Sequence, residues 1–135
     1  MIMLVLVSGG FDPLHIGHVR LIRRASEYGR VVVGLNSDAW LLRKKGFVFM
    51  PWAERAEILN ALALVSLVLP VEDSDGTVCA LLESAQPHYF ANGGDRTQAH
   101  PAEHAVCERI GIKELFGVGG VKIQSSSKLV EKITK

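Results

Sequence analysis

Five short apolar runs, each followed by an amphipathic or turn-rich stretch, recur along the chain, and this alternation limits its fold more than any other feature. Met1–Val7 reads as the first strand and Val31–Leu35 as the second, the latter rich in β-branched residues. Val65–Leu69, closed by Pro70, His88–Ala91, opened by Pro87, and Lys113–Val118 follow. A helix is predicted over His15–Tyr28, with Val19, Leu21, Ile22 and Ala25 apolar, Arg20, Arg23 and Arg24 outward, and Gly29 ending it. Asp38 is placed to cap a short helix over Ala39–Arg43, and Lys44–Met50 reads as a loop. Pro51 suits the first turn of a helix reaching Leu62. Further helices are expected over Thr77–Ala85 (capped by Asp75 or Thr77), Pro101–Ile110 and Ser125–Thr134. The order implies a Rossmann-like, doubly wound α/β fold: a five-stranded parallel sheet with helices on both faces, in one domain spanning residues 1–135.

Such sheets bind ligands at the carboxyl ends of their strands. The turns Gly9–His18, Asn36–Asp38 and Asn92–Asp95 all follow strands, so they gather at that edge and predict a single nucleotide site.

Bulk properties narrow the function. The chain is 48% apolar and 21% charged, which is globular and not disordered. A formal net charge of +1 argues against a nonspecific nucleic-acid binder. Met1–Val7 is too short to span a bilayer and lacks a basic leader, so no membrane partner is expected. Cys79 and Cys107 show no paired spacing, so reduced thiols in a cytoplasmic protein are the expectation.

Chemistry concentrates in Ser8-Gly9-Gly10-Phe11-Asp12-Pro13-Leu14-His15-Ile16-Gly17-His18, between the first strand and the first helix. Backbone N–H groups and the positive end of a helix dipole serve an anion there. Two histidines three residues apart share a helix face near that end. A His-x-x-His pair without a third or fourth ligand in sequence does not make a zinc site, and no metal ligand set is read. The glycines match neither the dinucleotide fingerprint nor the phosphate loop with its lysine. Either histidine alone would read as an ordinary turn residue; the whole strand–turn–helix constellation does not.

Gly10-Phe11-Asp12-x-x-His15-x-Gly17-His18 resembles the signature of the cytidylyltransferase-like nucleotidyltransferases, relatives of the class I aminoacyl-tRNA synthetases. The resemblance implies that His15 and His18 contact phosphates and stabilise the transition state, with Gly9, Gly10, Phe11, Asp12 and Gly17 shaping the nucleotide-binding turn. Lys44 and Lys45 would otherwise read as a solvated pair; the resemblance makes Lys44 a catalytic ligand of the triphosphate and Lys45 a second nucleotide contact. Arg55 matches an arginine that the family keeps at the start of the third helix, although an ion pair with Glu54 or Glu57 explains it equally. Asn92-Gly93-Gly94-Asp95 resembles the Gly-Gly-Asp turn of the heptose-phosphate nucleotidyltransferases, which implies nucleotide contacts for Gly94 and Asp95. Gln124-Ser125-Ser126-Ser127-Lys128 resembles the family's late serine motif, so Ser125 and Ser126 are expected on phosphate; as plain N-caps, serines would also suit that position.

The likeness spans nearly the whole chain but departs in two places. Gly119 and Gly120 stand where many members carry an arginine, leaving Lys122 as the basic side chain to meet phosphate from that edge. Ala63-Leu64-Val65-Ser66 lacks the basic residue and aspartate of the glycerol-phosphate cytidylyltransferase subgroup. The expected activity is transfer of CMP or AMP from a nucleoside triphosphate, with Mg²⁺, to a small phosphate or phosphonate acceptor, releasing pyrophosphate. CTP with a phospho-alcohol is the first expectation and ATP with a sugar phosphate the second; FMN and phosphopantetheine adenylylation rank below. The rival from another class is a non-catalytic nucleotide-binding module. A tRNA synthetase is rejected, since the chain has no basic surplus and no room for a tRNA-binding domain. Family members are often homodimers, and the apolar Leu62–Leu69 stretch fits either such an interface or a buried strand.

Overall fold

A computed structural model describes residues 2–93, 98–120 and 126–134. Strands β1 (Leu4–Gly9), β2 (Arg30–Leu35), β3 (Val65–Pro70), β4 (Tyr89–Gly93) and β5 (Lys113–Val118) form one sheet in the order β3-β2-β1-β4-β5. Every pairing is parallel. Helices α1 (Ile16–Ala25), α2 (Asp38–Lys45), α3 (Trp52–Asn60), α4 (Cys79–Ala85), α5 (Pro101–Ile110) and α6 (Ser126–Thr134) link or follow the strands.

The unbroken apolar character of β1 has a direct cause. Successive strand residues point to opposite faces. Val5 and Val7 enter a core with Val31, Val33, Ile22 of α1 and Leu59 of α3. Leu6 enters a second core with Val32, Phe90, Leu82 of α4 and Cys107 of α5. Both faces are covered, so neither can afford polar alternation. The doubly wound layout expected from the sequence is therefore the observed one.

Local boundaries differ where capping decides them. Ser37, not Asp38, caps α2: its hydroxyl accepts the Trp40 N–H at 3.0 Å. The helix then extends through Lys44 and Lys45, placing both lysines in its last turn, where the dipole favours cations. Gly46 closes it at φ 84°. Pro51 is the cap of α3, outside the first turn. Asp75 and Thr77 build the turn ahead of α4, which begins at Cys79 behind Val78. Gly29 does not end α1, which finishes at Ala25; a Cβ there would lie 2.5 Å from the Met3 carbonyl oxygen, so close packing explains the glycine. Asn92 and Gly93 belong to β4 and not to a turn. The Leu62–Leu69 stretch enters an edge strand, and Leu64 and Leu67 are 46% and 47% exposed. Among the described residues, no helix is long and apolar enough to cross a membrane.

Candidate active site

At the carboxyl end of β1 the chain turns through Gly10, Phe11 and Asp12 before α1 begins. Phe11 takes a left-handed φ of 49°, which costs a residue with a side chain of order 1 kcal/mol. Burial of its ring offsets this, and the ring lies 4.6 Å from the His18 imidazole. Gly10 has no room for a side chain: a Cβ would meet Leu41 at 2.8 Å.

The two histidines build the helix start themselves. His15 is the N-cap of α1, and its Nδ1 accepts the Gly17 N–H at 3.1 Å. The His18 Nδ1 in turn accepts the His15 N–H at 3.2 Å. The rings stack with centroids 3.8 Å apart. A ring nitrogen that accepts an N–H bears no proton, so in each imidazole Nε2 is the nitrogen left to donate. Both are thus fixed as donors at the positive end of a ten-residue helix. Gly17 makes this possible, because a Cβ there would press to 2.9 Å from the His15 ring.

A buried scaffold holds the neighbouring loops. Arg55 is wholly buried, and its guanidinium donates to the carbonyl oxygens of Gly10 (2.8 Å), Asn36 (2.9 Å) and Met50 (2.9 Å). Its remaining nitrogen pairs with Asp38 at 2.6 Å. Arg55 therefore ties the turns after β1 and β2 to the loop before α3; its partner is Asp38, not Glu54 or Glu57, and it offers no exposed face to a nucleotide. Asp12 is equally enclosed and accepts the Phe49 and Met50 N–H groups, so its role here is to pin that loop. Asp73, after β3, accepts from the Asn36 amide, the Ser37 N–H and the Ser37 hydroxyl. Burial pushes its carboxyl up, yet the Ser37 and Asn36 bonds and the nearby Arg43 guanidinium together hold it below the usual carboxylate range.

Beside this scaffold opens a cleft of about 480 Å³, lined on one side by Ser8, Gly9 and Asn36 at the strand ends and by Trp40 and Lys44 of α2. Val78, His100 and Glu103 line the α4–α5 side. Lys44 is exposed and its Nζ sits 5.9 Å from the Trp40 ring centroid; Lys45 is half-buried. Of the expected site residues, Gly9 and Lys44 line the cleft, and His15, His18 and Gly17 stand at the adjoining helix start. Ser126, the first residue of α6, is buried with its hydroxyl donating to the Pro13 carbonyl at 2.8 Å, which brings this serine to the turn before α1. Gly94, Asp95, Lys122 and Ser125 lie outside the described residues. Asp73, Trp40, His100 and Glu103 were not singled out from the sequence; only the turn at Asn36 gave a signal, by following a strand.

A parallel sheet carrying a helix-capping histidine pair and a polar cleft at its carboxyl edge defines a nucleotide-binding α/β domain. A sequence model of the cytidylyltransferase-like family matches residues 6–127, and the chain belongs to that family of nucleotidyltransferases. Bifunctional protein HldE of Geotalea uraniireducens is 41% identical over 135 residues, a span covering 96% of this chain and 26% of that protein. Bifunctional protein HldE of Geobacter metallireducens is 38% identical, over 98% of this chain and 27% of that one. The chain thus spans about a quarter of the length of these curated relatives. In fold it is similar to the lipopolysaccharide core biosynthesis protein from Thermoplasma volcanium, with a TM-score of 0.71 at 19% identity, covering 86% of this chain and 94% of that one.

Proposed function

We propose that this domain transfers AMP from ATP to a sugar phosphate, releasing pyrophosphate. The observation that carries the reading is the pair of imidazoles, each bound through Nδ1 to a backbone N–H and so restricted to donation from Nε2. Neither is arranged as a general base. A phosphate acceptor needs none, because its oxygen is already ionised at neutral pH. That oxygen attacks the α-phosphorus, a new phosphorus–oxygen bond forms, and the bond to the bridging oxygen of pyrophosphate breaks. Negative charge grows on the equatorial and leaving oxygens, where His15 and His18 and the α1 N-terminus would act. Lys44, on the facing helix, would meet phosphate at the cleft.

The triphosphate would arrive as its Mg²⁺ complex. Such an ion is usually held by substrate phosphates and waters with few protein ligands. The adenylyl and sugar-phosphate choices rest on the likeness to the HldE proteins and on the resemblance of the Gly93-Gly94-Asp95 sequence to that of heptose-phosphate nucleotidyltransferases. They favour the second sequence expectation over CTP with a phospho-alcohol.

Pyrophosphate release measured with ATP or CTP against sugar 1-phosphates, glycerol 3-phosphate and phosphocholine tests the proposal. Turnover with ATP and a sugar phosphate is expected. Turnover confined to CTP and a phospho-alcohol would restore the first expectation, and triphosphate binding without turnover would favour a non-catalytic module.

A further inference from the structure

We propose that the α5 side of the cleft selects the hydroxyl-bearing, uncharged body of the acceptor, through Glu103 and His100 with Trp40 as the apolar wall. This rests on the transferase reading above. Glu103 is 6% exposed although it carries a carboxylate, and it lines the cleft with its Oε2 taking the Val78 N–H at 3.2 Å. His100 is the N-cap of α5, and its Nδ1 accepts the Ala102 N–H at 3.2 Å. The donor of that ring is therefore Nε2. One turn of helix thus supplies an acceptor and a donor to the same wall. A sugar hydroxyl both donates and accepts, so this pair matches polyol chemistry.

Charge assigns the two ends of the cleft. A triphosphate placed against Glu103 would meet a like charge in a partly desolvated setting, which is unfavourable. Lys44 stands on the α2 wall, where the acceptor's single phosphate would lie. The polyphosphate is left to the α1 N-terminus and the histidine pair. Trp40 lines the intervening wall with an aromatic ring, the kind of apolar surface that a few placed polar groups turn into a selective pocket. The backbone support is rigid as well, since Asn36 is held by Asp73 and Arg55.

The test uses Glu103→Gln and His100→Asn, the second keeping a good helix cap while removing the imidazole. Each is assayed with ATP and a hexose or heptose 1-phosphate, and with analogues of that sugar phosphate lacking one hydroxyl. For both variants the acceptor KM should rise ~10-fold or more, as expected when a buried hydroxyl contact is lost. Turnover at saturation should fall less, and the Kd for ATP by calorimetry should stay within about 2-fold of wild type. A deoxy analogue that costs the wild type ~10-fold should cost the variant little more. If Glu103→Gln disturbs folding, judged by thermal melting, His100→Asn decides alone. Unchanged acceptor KM with intact deoxy discrimination would overturn the pocket assignment and leave the transferase reading standing. Wild-type ATP binding with no turnover of any sugar phosphate would overturn both.

Discussion

The Ser126 hydroxyl donates to the Pro13 carbonyl oxygen at 2.8 Å, across 113 residues of chain. This bond sets the first turn of α6 against the turn that leads into α1. Two helix starts are thereby joined at the edge where β1 ends, so Ser126 and the histidine pair stand in one region.

His18→Ala should lower kcat by ~100-fold or more while KM for the triphosphate changes less, because the lost donor acts where charge develops. Steady-state kinetics with pyrophosphate detection check it. Full turnover in the variant would remove His18 from the mechanism.

Gly17→Ala separates stability from activity. Alanine is the better helix former by up to about 1 kcal/mol, but its Cβ would press on the His15 ring now 2.9 Å away. The melting temperature should move by only a few degrees, whereas kcat should fall ~10–100-fold from misplacement of the donor. Equal activity would show that the His15 position tolerates displacement.

Arg55→Lys should destabilise the domain by about 2–4 kcal/mol, since one ammonium cannot serve three carbonyl oxygens and Asp38 together. Urea denaturation followed by circular dichroism reads this out. A loss below about 1 kcal/mol would mean that the loops hold without the clamp.

Asp73 predicts a pH dependence. Its folded carboxyl lies below the ordinary value of 3.8 despite burial, because the Ser37 and Asn36 bonds and Arg43 favour the charged form. A depressed acid contributes stability above its unfolded pKa and loses it as pH falls through the folded one. The melting-temperature gap between wild type and Asp73→Asn should therefore be widest above about pH 5 and narrow below about pH 3. A gap constant over that range would contradict the assignment.

The thiols should differ sharply. Cys107 is 1% exposed, and burial first, then nearby Glu114, pushes its thiol up to about 12. Cys79 is half-buried. Titration of the native protein with a thiol-specific chromogenic reagent near pH 8 should show one reacting cysteine, and Cys107 should react only after denaturation. Rapid loss of both would indicate that the α4–α5 side opens readily.

The fold class is legible in the order of residues, because the patterns that specify it are local and periodic. Val5-Leu6-Val7 and Val31-Val32-Val33 read as strands buried on both faces, and Pro101–Ile110 and Lys113–Val118 occur with the expected limits. The histidine pair was legible for the same reason: its bonds join residues two and three apart. Tertiary structure decided everything whose partner is distant. Arg55 looks like a helix-surface cation until Gly10 and Asn36, 45 and 19 residues away, bring carbonyl oxygens to it. Asp12 sits within a phosphate-binding signature, yet its oxygens are spent on the Phe49 and Met50 N–H groups. His100 and Glu103 carry no motif, and only the parallel order of β1 and β4, which sets α5 beside the strand ends, turns them into the wall of a cleft. A buried polar group must be satisfied by whatever the fold brings near it, and a linear chain does not announce which groups those will be.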